Sequence, residues 1–443
     1  MGMPESVQSV LRTLESSGHE AWCVGGCVRD LLLERMPDDW DVTTSALPEE
    51  TLSLFGDRAV PTGLRHGTVT VRTNGWPVEV TTFRCDGAYL DHRRPASVSF
   101  TRSLTEDLRR RDFTVNAMAM DLRETLRDPF DGRRDLEAKI LRCVGDPNLR
   151  LTEDALRILR GLRFAAVLGF RIEPDTAKAL HSHRELLGDI AVERIRVELV
   201  KLLCGRGASE VLREYPDVVG VFWPELLPLV GFDQRNQHHC YDIWEHTLSS
   251  LEAVPPDPVL RLTMMLHDIG KQNSFTVDEK GTGHFYGHGA FSRKMADEML
   301  HRLKFDTKTR QTVVLLVEWH DRYIKPTDEG VRRGLMALGE ENLRRLIAVK
   351  RADNLAQAPE YRGIQNELTQ AERILDNLLK RNDCVSLRQL AVDGRDITAM
   401  GLSGPDVGRV LQDLLERVIR RELPNDRNAL LKWVDTMDRK TPG

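Results

Sequence analysis

The sequence has few of the features that mark secreted, zinc-binding or membrane proteins. Its seven cysteines are scattered, odd in number and nowhere spaced as C-x-x-C, so neither a disulfide framework nor a zinc knuckle is indicated. The longest apolar stretch, 218–232, is interrupted by Pro224, Glu225 and Pro228, and no signal-like apolar run lies near the N-terminus. We therefore predict a cytoplasmic protein without a membrane segment.

A net positive charge and internal repeats are also missing. The 63 Lys and Arg residues are outnumbered by 68 Asp and Glu residues, which gives a net charge of −5. Residues 84–171 differ, because they contain 18 basic and 14 acidic side chains. A basic region in an acidic protein suits salt-sensitive contact with an RNA backbone, but a solvated arginine face has the same composition. At 443 residues the chain is long enough for about three or four domains.

Residues 22–45 contain two alternating carboxylates. Asp39 and Asp41 alternate with apolar residues, so a β-strand at this position puts both carboxylates on one face. Two such carboxylates can share divalent cations, which stabilise the entering and leaving oxygens of a displacement at phosphorus. A D-x-D pair alone is more often a solvated strand edge. The residues around this pair are what favour a metal-binding role.

A glycine pair precedes these carboxylates. Gly25 and Gly26 allow the backbone to approach a phosphate closely, and a helix predicted over 28–35 would direct its N-terminal amides at that anion. A glycine pair alone is more often a turn. The order and spacing of the glycines and carboxylates together indicate a nucleotide-transfer site.

A third acid follows in the next segment. Residues 66–84 alternate as two strands joined by Asn74 and Gly75, the strongest short hairpin signal. Glu79 is the only acid on the second strand, and we expect that strand to lie beside the aspartates. Glu79 would then complete an Asp-Asp-Glu metal site, and the alternative is an exposed strand glutamate.

These motifs resemble the class II polynucleotide adenylyltransferase and tRNA nucleotidyltransferase family, whose members build or repair the 3′-terminal CCA of tRNA or add poly(A). The resemblance rests on V-G-G-C-V-R-D, D-W-D-V-T-T-S-A, H-G-T-V and E-V-T-T-F-R, and it extends over nearly the whole chain. It implies Mg²⁺ at Asp39 and Asp41 with Glu79 assisting as catalytic residues. It also implies nucleotide binding around Gly25, Gly26, Arg29 and Asp30.

The segment R-R-D-F-T-V-N-A resembles the family motif that holds the ribose and triphosphate. The resemblance assigns that role to Arg111, Asp112 and Asn116. The residue types suit it, because the arginine fork matches phosphate and an aspartate accepts hydrogen bonds from ribose hydroxyls.

The segment E-D-A-L-R resembles the family's amino-acid template for choosing the incoming base. We predict that it begins a helix, with Asp154 and Arg157 on one face. A carboxylate accepts from the exocyclic amine that C and A share, while a guanidinium donates to ring acceptors. Outside this context such a pair is usually a surface ion pair. Glu193 and Arg194 resemble a later motif that supports this helix, and we predict a structural role for them.

The polar segment between Arg84 and Phe100 is predicted to be a mobile basic loop that contains Asp91, Arg93 and Arg94. In the family such a loop is associated with addition of the terminal A, and enzymes that add only CC have it shortened or altered. Its presence favours full CCA addition and leaves addition of A alone open. The arginine-rich signature of bacterial poly(A) polymerases is not evident.

The second half of the chain carries histidines and aspartates on successive predicted helices. Imidazole and carboxylate are ligands for Mn, Fe, Co, Ni or Zn, and such a site activates water against a phosphoester. The segment M-L-H-D-I-G-K resembles the HD phosphohydrolase superfamily, whose ligand order is H…HD…D. That order is matched by His246, His267, Asp268 and Asp353, and the additional His288 and His320 permit a second metal. Each histidine could instead be a packed or surface residue.

We predict a multidomain α+β protein with a nucleotidyltransferase head of mixed sheet and helices followed by mostly helical domains. The predicted domains are a catalytic head (1–145), a neck with the template motif (146–215), an HD body (216–360) and a tRNA-binding tail (361–443). The tail contains an amphipathic helix after Pro405.

The predicted reaction is template-independent addition of CCA to tRNA from CTP and ATP, with release of pyrophosphate and without an obligatory protein partner. Addition of only A or only CC and poly(A) addition are alternatives within the family. An HD phosphohydrolase with a vestigial head and a non-catalytic RNA-binding protein are alternatives from other classes.

Overall fold

The computed structural model describes residues 2–74, 77–87, 97–236, 240–381 and 383–438. The chain forms two compact units, of which unit 1 is Met1–Leu227 with Arg302–Lys304 and unit 2 is Pro228–His301 with Phe305–Gly443. Among the helices in the described ranges, none has the length and apolar character needed to cross a bilayer.

Unit 1 is built on a seven-stranded mixed sheet. Its strands in chain order are β1 (Ala21–Val24), β2 (Asp41–Thr44), β3 (Ala59–Gly63), β4 (Thr68–Val71), β5 (Val78–Thr82), β8 (Ala119–Met120) and β9 (Leu126–Arg127), with β6 (Arg84–Asp86) and β7 (Val98–Phe100) pairing separately between them. The spatial order is β3-β4-β5-β2-β1-β8-β9, and only the β2–β5 pairing is parallel. Two short strands, β10 (Ile140–Leu141) and β11 (Arg171–Ile172), pair in parallel outside this sheet.

The period-2 pattern of the sequence accounts for the centre of the sheet. Val78 and Val80 of β5 are buried while Glu79 between them is exposed. The strand β2 lies inside the sheet, and after half-buried Asp41 its remaining residues are all buried. The predicted hairpin is confirmed, because β4 and β5 are antiparallel with Val71 opposite Val78. Residues 75–76 of its turn lie outside the described residues.

Helices surround the sheet and continue beyond it in unit 1. They are α1 (Glu5–Ser16), α2 (Gly26–Leu32), α3 (Pro48–Phe55), α4 (Leu104–Arg109), α5 (Gly132–Ala138), α6 (Pro147–Glu153), α7 (Leu156–Leu168), α8 (Pro174–His183), α9 (Val192–Leu203), α10 (Ala208–Glu214) and α11 (Pro216–Gly220). Helix α7 is buried on most of its surface and packs against α9. It ends at Gly169, whose left-handed φ of 72° suits glycine.

Unit 2 is almost entirely helical. Its helices are α12 (Ile243–Glu252), α13 (Pro258–Leu266), α14 (Lys271–Ser274), α15 (His288–Arg302), α16 (Thr307–Trp319), α17 (Asp328–Leu355), α18 (Gln365–Lys380), α19 (Gly394–Ala399), α20 (Pro405–Ile419) and α21 (Arg427–Asp438), and β12 (Thr276–Val277) pairs with β13 (Gly283–His284). The amphipathic helix predicted after Pro405 is confirmed, because Leu414 and Val418 of α20 are buried in a hydrophobic core with residues of α19 and α21. The fold class, a mixed-sheet head followed by a mostly helical chain, is therefore confirmed.

Several local predictions were wrong. The helix expected over 28–35 begins at Gly26 and ends at Leu32. The segment between Arg84 and Phe100 was expected to be a loop throughout. It begins and ends as β-strand instead, because Cys85 of β6 pairs with Ser99 of β7 in an antiparallel ladder. Polar residues occupy such an exposed ribbon readily, since neither of its faces needs to be fully buried.

Candidate active site and metal centre

The predicted catalytic carboxylates meet at the start of the parallel strand pair. Asp41 is the first residue of β2, and it lies directly opposite Glu79 of β5 in the register. The strand that was expected to carry both aspartates begins only at Asp41, so that prediction was wrong for Asp39, which lies two residues before the strand and is exposed. Trp40 between the two aspartates is buried. The parallel pairing therefore brings together two acids that are 38 positions apart in the chain.

The electrostatics of this cluster favour a cation. Burial raises the pKa of Asp41 to about 6; the positive charge of Arg111 opposes this rise, and the negative charges of Asp39 and Glu79 add to it. A bound divalent cation would compensate for the repulsion between the three acids. Carboxylates are suitable ligands for Mg²⁺, so these acids could hold such an ion.

Because the pKa of Asp41 lies above its ordinary value, ionisation of this group destabilises the metal-free protein. The protein loses stability as the pH rises from about 4 to above 6, where Asp41 is charged. We expect Asp41→Asn in EDTA to raise the melting temperature at pH 8 by roughly 2–5 °C and to have little effect near pH 4. Calorimetry at the two pH values tests this. Exposed Asp38→Asn is the control, and an equal change in both variants would contradict the prediction.

Arg111 lies between the glycine pair and the catalytic strand. A Cβ atom on Gly25, whose φ is +84°, would lie 2.8 Å from Nη1 of Arg111. Arg111 also approaches Asp107, whose Oδ2 lies 3.8 Å from its Nη2. Burial lowers the pKa of the Arg111 guanidinium, while Asp107 and Asp41 support its charge. The glycine therefore leaves space for a buried cation beside Asp41.

Replacing Gly25 with alanine should displace Arg111 and strain the backbone. We expect activity to fall roughly 10²-fold, since a shift of about 1 Å at a positioning group has effects of this size. Gly18→Ala is a matched control, because Gly18 has a φ of +85° and a Cβ there meets no atom within 4 Å. Both variants should lose thermal stability, and only Gly25→Ala should lose activity. Equal activity in the two variants would contradict this role of Gly25.

The remaining residues of the R-R-D-F-T-V-N-A motif form a closed network. Oδ2 of Asp112 accepts from Nε and Nη2 of Arg160 at 2.9 and 2.5 Å, and Oδ1 accepts from the Asn116 amide at 3.3 Å. Oδ1 of Asn116 accepts from Arg29 at 2.7 Å, and Arg29 also binds the Asp30 carboxylate. Burial opposes ionisation of Asp112, but Arg160 outweighs burial and holds the pKa of Asp112 below its ordinary value. The motif therefore orients Arg29 and Arg160 towards one region.

The predicted template residues, Asp154 and Arg157, lie at a break between helices. Asp154 was expected within the first turn of a helix, but it has an extended backbone with φ −132° between α6 and α7. Its Oδ1 accepts from the backbone amide of Leu156 at 3.2 Å. Nη1 of Arg157 donates to Oε2 of Glu153 at 2.6 Å, and its Nη2 donates to the backbone carbonyl of Arg110 at 2.8 Å. The break leaves Asp154 20% exposed and Arg157 10% exposed.

The predicted loop residues Asp91, Arg93 and Arg94 lie outside the described residues. The ribbon of β6 and β7 that flanks them is described, and its Asp86 lies 4.0 Å from Arg110.

In unit 2 the predicted HD residues converge into two adjoining buried groups. His246, His267 and Asp268 form the first group, and Asp268, His288 and His320 form the second. Oδ2 of Asp268 lies 3.2 Å from Nε2 of His267, whereas its Oδ1 lies 3.4 Å from Nε2 of His288. Asp268 is therefore shared by both groups. Within the described residues no other set of His, Cys, Asp and Glu side chains is as closely gathered.

Asp353 completes the first group from α17. Its Oδ1 lies 2.9 Å from Nε2 of His246 and 3.7 Å from Nε2 of His267. Its side chain is 23% exposed, whereas those of His246, His267 and Asp268 are at most 2% exposed. The cluster is therefore open on the side of Asp353.

The histidine tautomers are set by the backbone. All four Nδ1 atoms lie within 3.3 Å of a main-chain carbonyl oxygen, those of Met264, Phe285, Val317 and Ala356 for His267, His288, His320 and His246 respectively. Because a carbonyl only accepts, each Nδ1 carries a proton, and Nε2 is the nitrogen that faces the cluster and can ligate a metal once it has lost its proton. This is the arrangement of a metal-ligating histidine.

The charges in the cluster also favour a cation. Burial lowers the pKa of His267, but Asp268 and Asp353 outweigh burial and raise it to about 10. The Nε2 atoms of His288 and His320 face each other at 3.1 Å. Facing nitrogens and a strong negative potential fit one or two transition-metal ions, for which N and O donors are suitable ligands.

Sequence reasoning missed three residues of these sites. Asp107 is fully buried and accepts from Thr43 Oγ1 at 3.1 Å and Arg110 Nη2 at 2.8 Å. Arg160 binds Asp112, and Lys271 lies 2.8 Å from Oδ2 of Asp268. Helical spacing was the available signal, because each of the three lies three or four positions from a residue already identified.

Three family models match the chain. The Poly A polymerase head domain matches residues 21–142, the "Probable RNA and SrmB- binding site of polymerase A" matches residues 169–215, and tRNA nucleotidyltransferase domain 2 matches residues 290–434. The first match contains the Asp41 cluster and the Arg111 network. The fold and these matches define the chain as a nucleotidyltransferase with a polymerase-type head.

Relatives that align over nearly the whole chain show which family of nucleotidyltransferases it belongs to. The CCA-adding enzyme of Levilactobacillus brevis is 37% identical, with 97% of each chain covered, and that of Lactobacillus helveticus is 35% identical, with 97% of this chain and 96% of the relative covered. The crystal structure of Bacillus stearothermophilus CCA-adding enzyme in complex with CTP is 30% identical, has a TM-score of 0.76, and aligns over 99% of this chain and 98% of that chain. The chain belongs to the family of CCA-adding enzymes.

Proposed function

We propose that this protein adds the 3′-terminal sequence CCA to tRNA without a nucleic-acid template and acts in the cytoplasm. In each step the 3′-hydroxyl oxygen of the RNA forms a bond to the α-phosphorus of the nucleotide and loses its proton, while the bond to the pyrophosphate breaks. CTP is used twice and ATP once. The register that places Asp41 opposite Glu79 is the observation that carries the proposal.

We assign metal binding and phosphate binding to different side chains of the head. Asp41 and Asp39, with Glu79 assisting, would hold Mg²⁺, which when bound supplies Lewis-acid activation of the hydroxyl and charge compensation at the phosphates. Arg111 has a cationic side chain beside Asp41, and Gly25 leaves space for it. Asp112 and Asn116 hold Arg160 and Arg29 in position through hydrogen bonds, and the positive charges of these arginines would attract the triphosphate.

Asp154 and Arg157 would select the base. We expect Asp154→Ala to reduce the preference for C and A over U and G roughly tenfold or more, because the exocyclic amine loses its acceptor. Incorporation of the four nucleotides, measured separately on one primer, tests this. Leu149→Ala serves as the control, because Leu149 is an exposed residue of the preceding helix α6. An unchanged preference in Asp154→Ala would contradict the template role.

The reaction itself is tested with three tRNA transcripts that end at the discriminator base, at C and at CC. Each is incubated with labelled CTP, ATP or both, in the presence of Mg²⁺. The proposal is supported if the first transcript gains CCA and is not extended further. Addition of A to the CC-ended transcript alone, addition of CC alone, or continued addition of A would identify the partial enzymes or the poly(A) polymerase.

We propose a second activity, metal-dependent phosphoester hydrolysis, at the cluster in unit 2. Four histidines with Nε2 directed at two shared carboxylates support it. His246, His267, Asp268 and Asp353 would hold one Mn, Fe, Co, Ni or Zn ion, and Asp268, His288 and His320 a second. Such ions, when bound, lower the pKa of a water molecule. That water would attack phosphorus, and the ester oxygen would leave with a proton.

We also propose the division into head (1–145), neck (146–215), HD body (216–360) and tail (361–443). The match of the head model to residues 21–142 supports the first boundary.

A further inference from the structure

We propose that Phe164 is a positioning residue for the triphosphate of the incoming nucleotide, because its ring holds three arginine side chains at one place. This inference rests on the proposed function and extends it to an apolar residue that carries no charge and donates no hydrogen bond. Phe164 lies on α7 and is buried, with 6% of its surface exposed.

Three guanidinium groups surround this ring. The Cζ atom of Arg163 lies 3.7 Å from the ring centroid, and those of Arg29 and Arg160 each lie 5.3 Å from it. A cation within about 6 Å of the centroid is attracted to the negative face of an aromatic ring. Among the described residues this is the one ring that more than one such cation approaches, since each of the others has a single arginine or lysine.

The ring is the neighbour that the three arginines share. Each arginine has a carboxylate partner of its own, and the partners of Arg29, Arg160 and Arg163 are Asp30, Asp112 and Glu198 respectively. Arg29 lies on α2, whereas the other two arginines lie on α7. Because like charges repel each other, the contact with one ring is what keeps the cations of the two helices together.

The orientation of the ring is fixed by Phe113. The two ring centroids are 5.8 Å apart and the planes meet at 77°, which is an edge-to-face contact. Phe113 is fully buried and follows Asp112 in the R-R-D-F-T-V-N-A segment. The segment that resembles the triphosphate motif therefore orients the ring, and the ring orients the arginines.

An aromatic ring positions a guanidinium without using its hydrogen-bond donors. A carboxylate occupies the donors that it binds, as Asp112 does with Nε and Nη2 of Arg160. The face of a ring attracts the guanidinium plane and leaves the N–H groups at its edge available. Nη1 of Arg160 makes no hydrogen bond within the described residues, and the Arg160 side chain is 34% exposed. Donors held in this way suit the oxygens of a triphosphate.

Phe55 provides a matched control in the same unit. It is a buried phenylalanine with 4% of its surface exposed, and Cζ of Arg58 lies 5.5 Å from its ring centroid. A change at Phe55 therefore removes a buried ring and a guanidinium contact while the three arginines keep their places.

The experiment measures the affinities of the full chain for inorganic tripolyphosphate, CTP and GTP in the presence of Mg²⁺. Phe164 is replaced by leucine, and separately by trifluorophenylalanine, which keeps the shape of the ring and removes most of the negative charge from its face. The same two changes are made at Phe55. We expect both changes at Phe164 to weaken all three ligands by a similar factor of about ten, and those at Phe55 to change them less than about twofold. On incorporation the loss at Phe164 should appear mainly in KM.

Two results would overturn the proposal. One is an unchanged affinity for tripolyphosphate when trifluorophenylalanine replaces Phe164. The other is an equal loss of affinity from the changes at Phe164 and Phe55, which would assign the ring to folding alone. If Phe164→Leu does not fold, the fluorinated variant decides, because it keeps the shape of the core.

Tripolyphosphate has no base or sugar, so its affinity is independent of the nucleotide that the protein adds. If the wild-type protein binds tripolyphosphate and CTP but extends no tRNA, the proposed function fails while the role of Phe164 is still decided. If the wild-type protein does not bind tripolyphosphate, the role assigned to Phe164 is wrong.

Discussion

Replacement of Asp41 by alanine is expected to reduce CTP and ATP incorporation roughly 10³-fold or more. Asp41 is the first residue of β2, it lies opposite Glu79, and burial raises its pKa to about 6. No other described carboxylate lies opposite Glu79 in the parallel β2–β5 register. Loss of Asp41 therefore removes the central ligand of the proposed Mg²⁺ site, and the acids that remain are exposed.

Binding of tRNA distinguishes a catalytic loss from misfolding. Binding of the CC-ended transcript, measured by filter retention, should stay within about threefold of wild type, because one carboxylate contributes little to contact with an RNA backbone. Asp38→Ala is the control, since Asp38 is an exposed acid in the same segment, and its activity should stay within about twofold. Retained turnover in Asp41→Ala would exclude the assignment of this residue as a metal ligand.

Replacement of Asp268 by asparagine is expected to abolish binding of both metal ions proposed for the unit 2 cluster. Asp268 directs one oxygen at each of the two groups, so its loss affects both at once. Burial opposes its ionisation, but the positive charges of His267 and Lys271 outweigh burial and hold its pKa well below the ordinary value. We expect bound transition metal, measured by elemental analysis, to fall from one or two equivalents to roughly a tenth of that or less.

The Asp268→Asn variant should lose phosphoester hydrolysis and keep nucleotide transfer. Hydrolysis of bis(p-nitrophenyl) phosphate with Mn²⁺, Co²⁺, Ni²⁺ or Zn²⁺ should fall roughly 10³-fold in Asp268→Asn, whereas CCA addition should persist. His284→Ala is the control, because His284 pairs with Asp278 outside the cluster. Unchanged metal content in Asp268→Asn would contradict the site. Metal content without hydrolysis in the wild-type protein would assign the cluster a structural role.

Sequence patterns predicted many of the strands and helices, because the spacing of apolar residues in a strand or helix depends only on the local backbone geometry. The alternation of Asp41 and Glu79 with buried neighbours identified two strands, and Pro405 with its apolar spacing identified α20. The H-D-I-G-K segment identified part of a candidate metal cluster whose other members lie on earlier and later helices. The precise ends of helices were less predictable, since Asp154 lies in a break that helical spacing alone would not introduce.

Partners distant in the chain could not be predicted in the same way. The pairing of Asp112 with Arg160, 48 positions apart, depends on how α7 packs against the R-R-D-F-T-V-N-A segment. Contact between Arg194 and Asp154 similarly depends on the packing of α7 against α9. No periodicity encodes such distances, because they arise from packing and not from backbone geometry.

By itself, the sequence determined which residues are capable of chemistry and which strands and helices carry them. Side-chain period and residue type are properties of short segments, and they survive in any fold. Only the tertiary structure decided that Asp41 faces Glu79, that Asp268 is shared between two groups of histidines, and that Arg194 reaches Asp154. Those contacts join segments that the chain separates by tens of residues, and they exist only once burial of the apolar faces has brought the segments together.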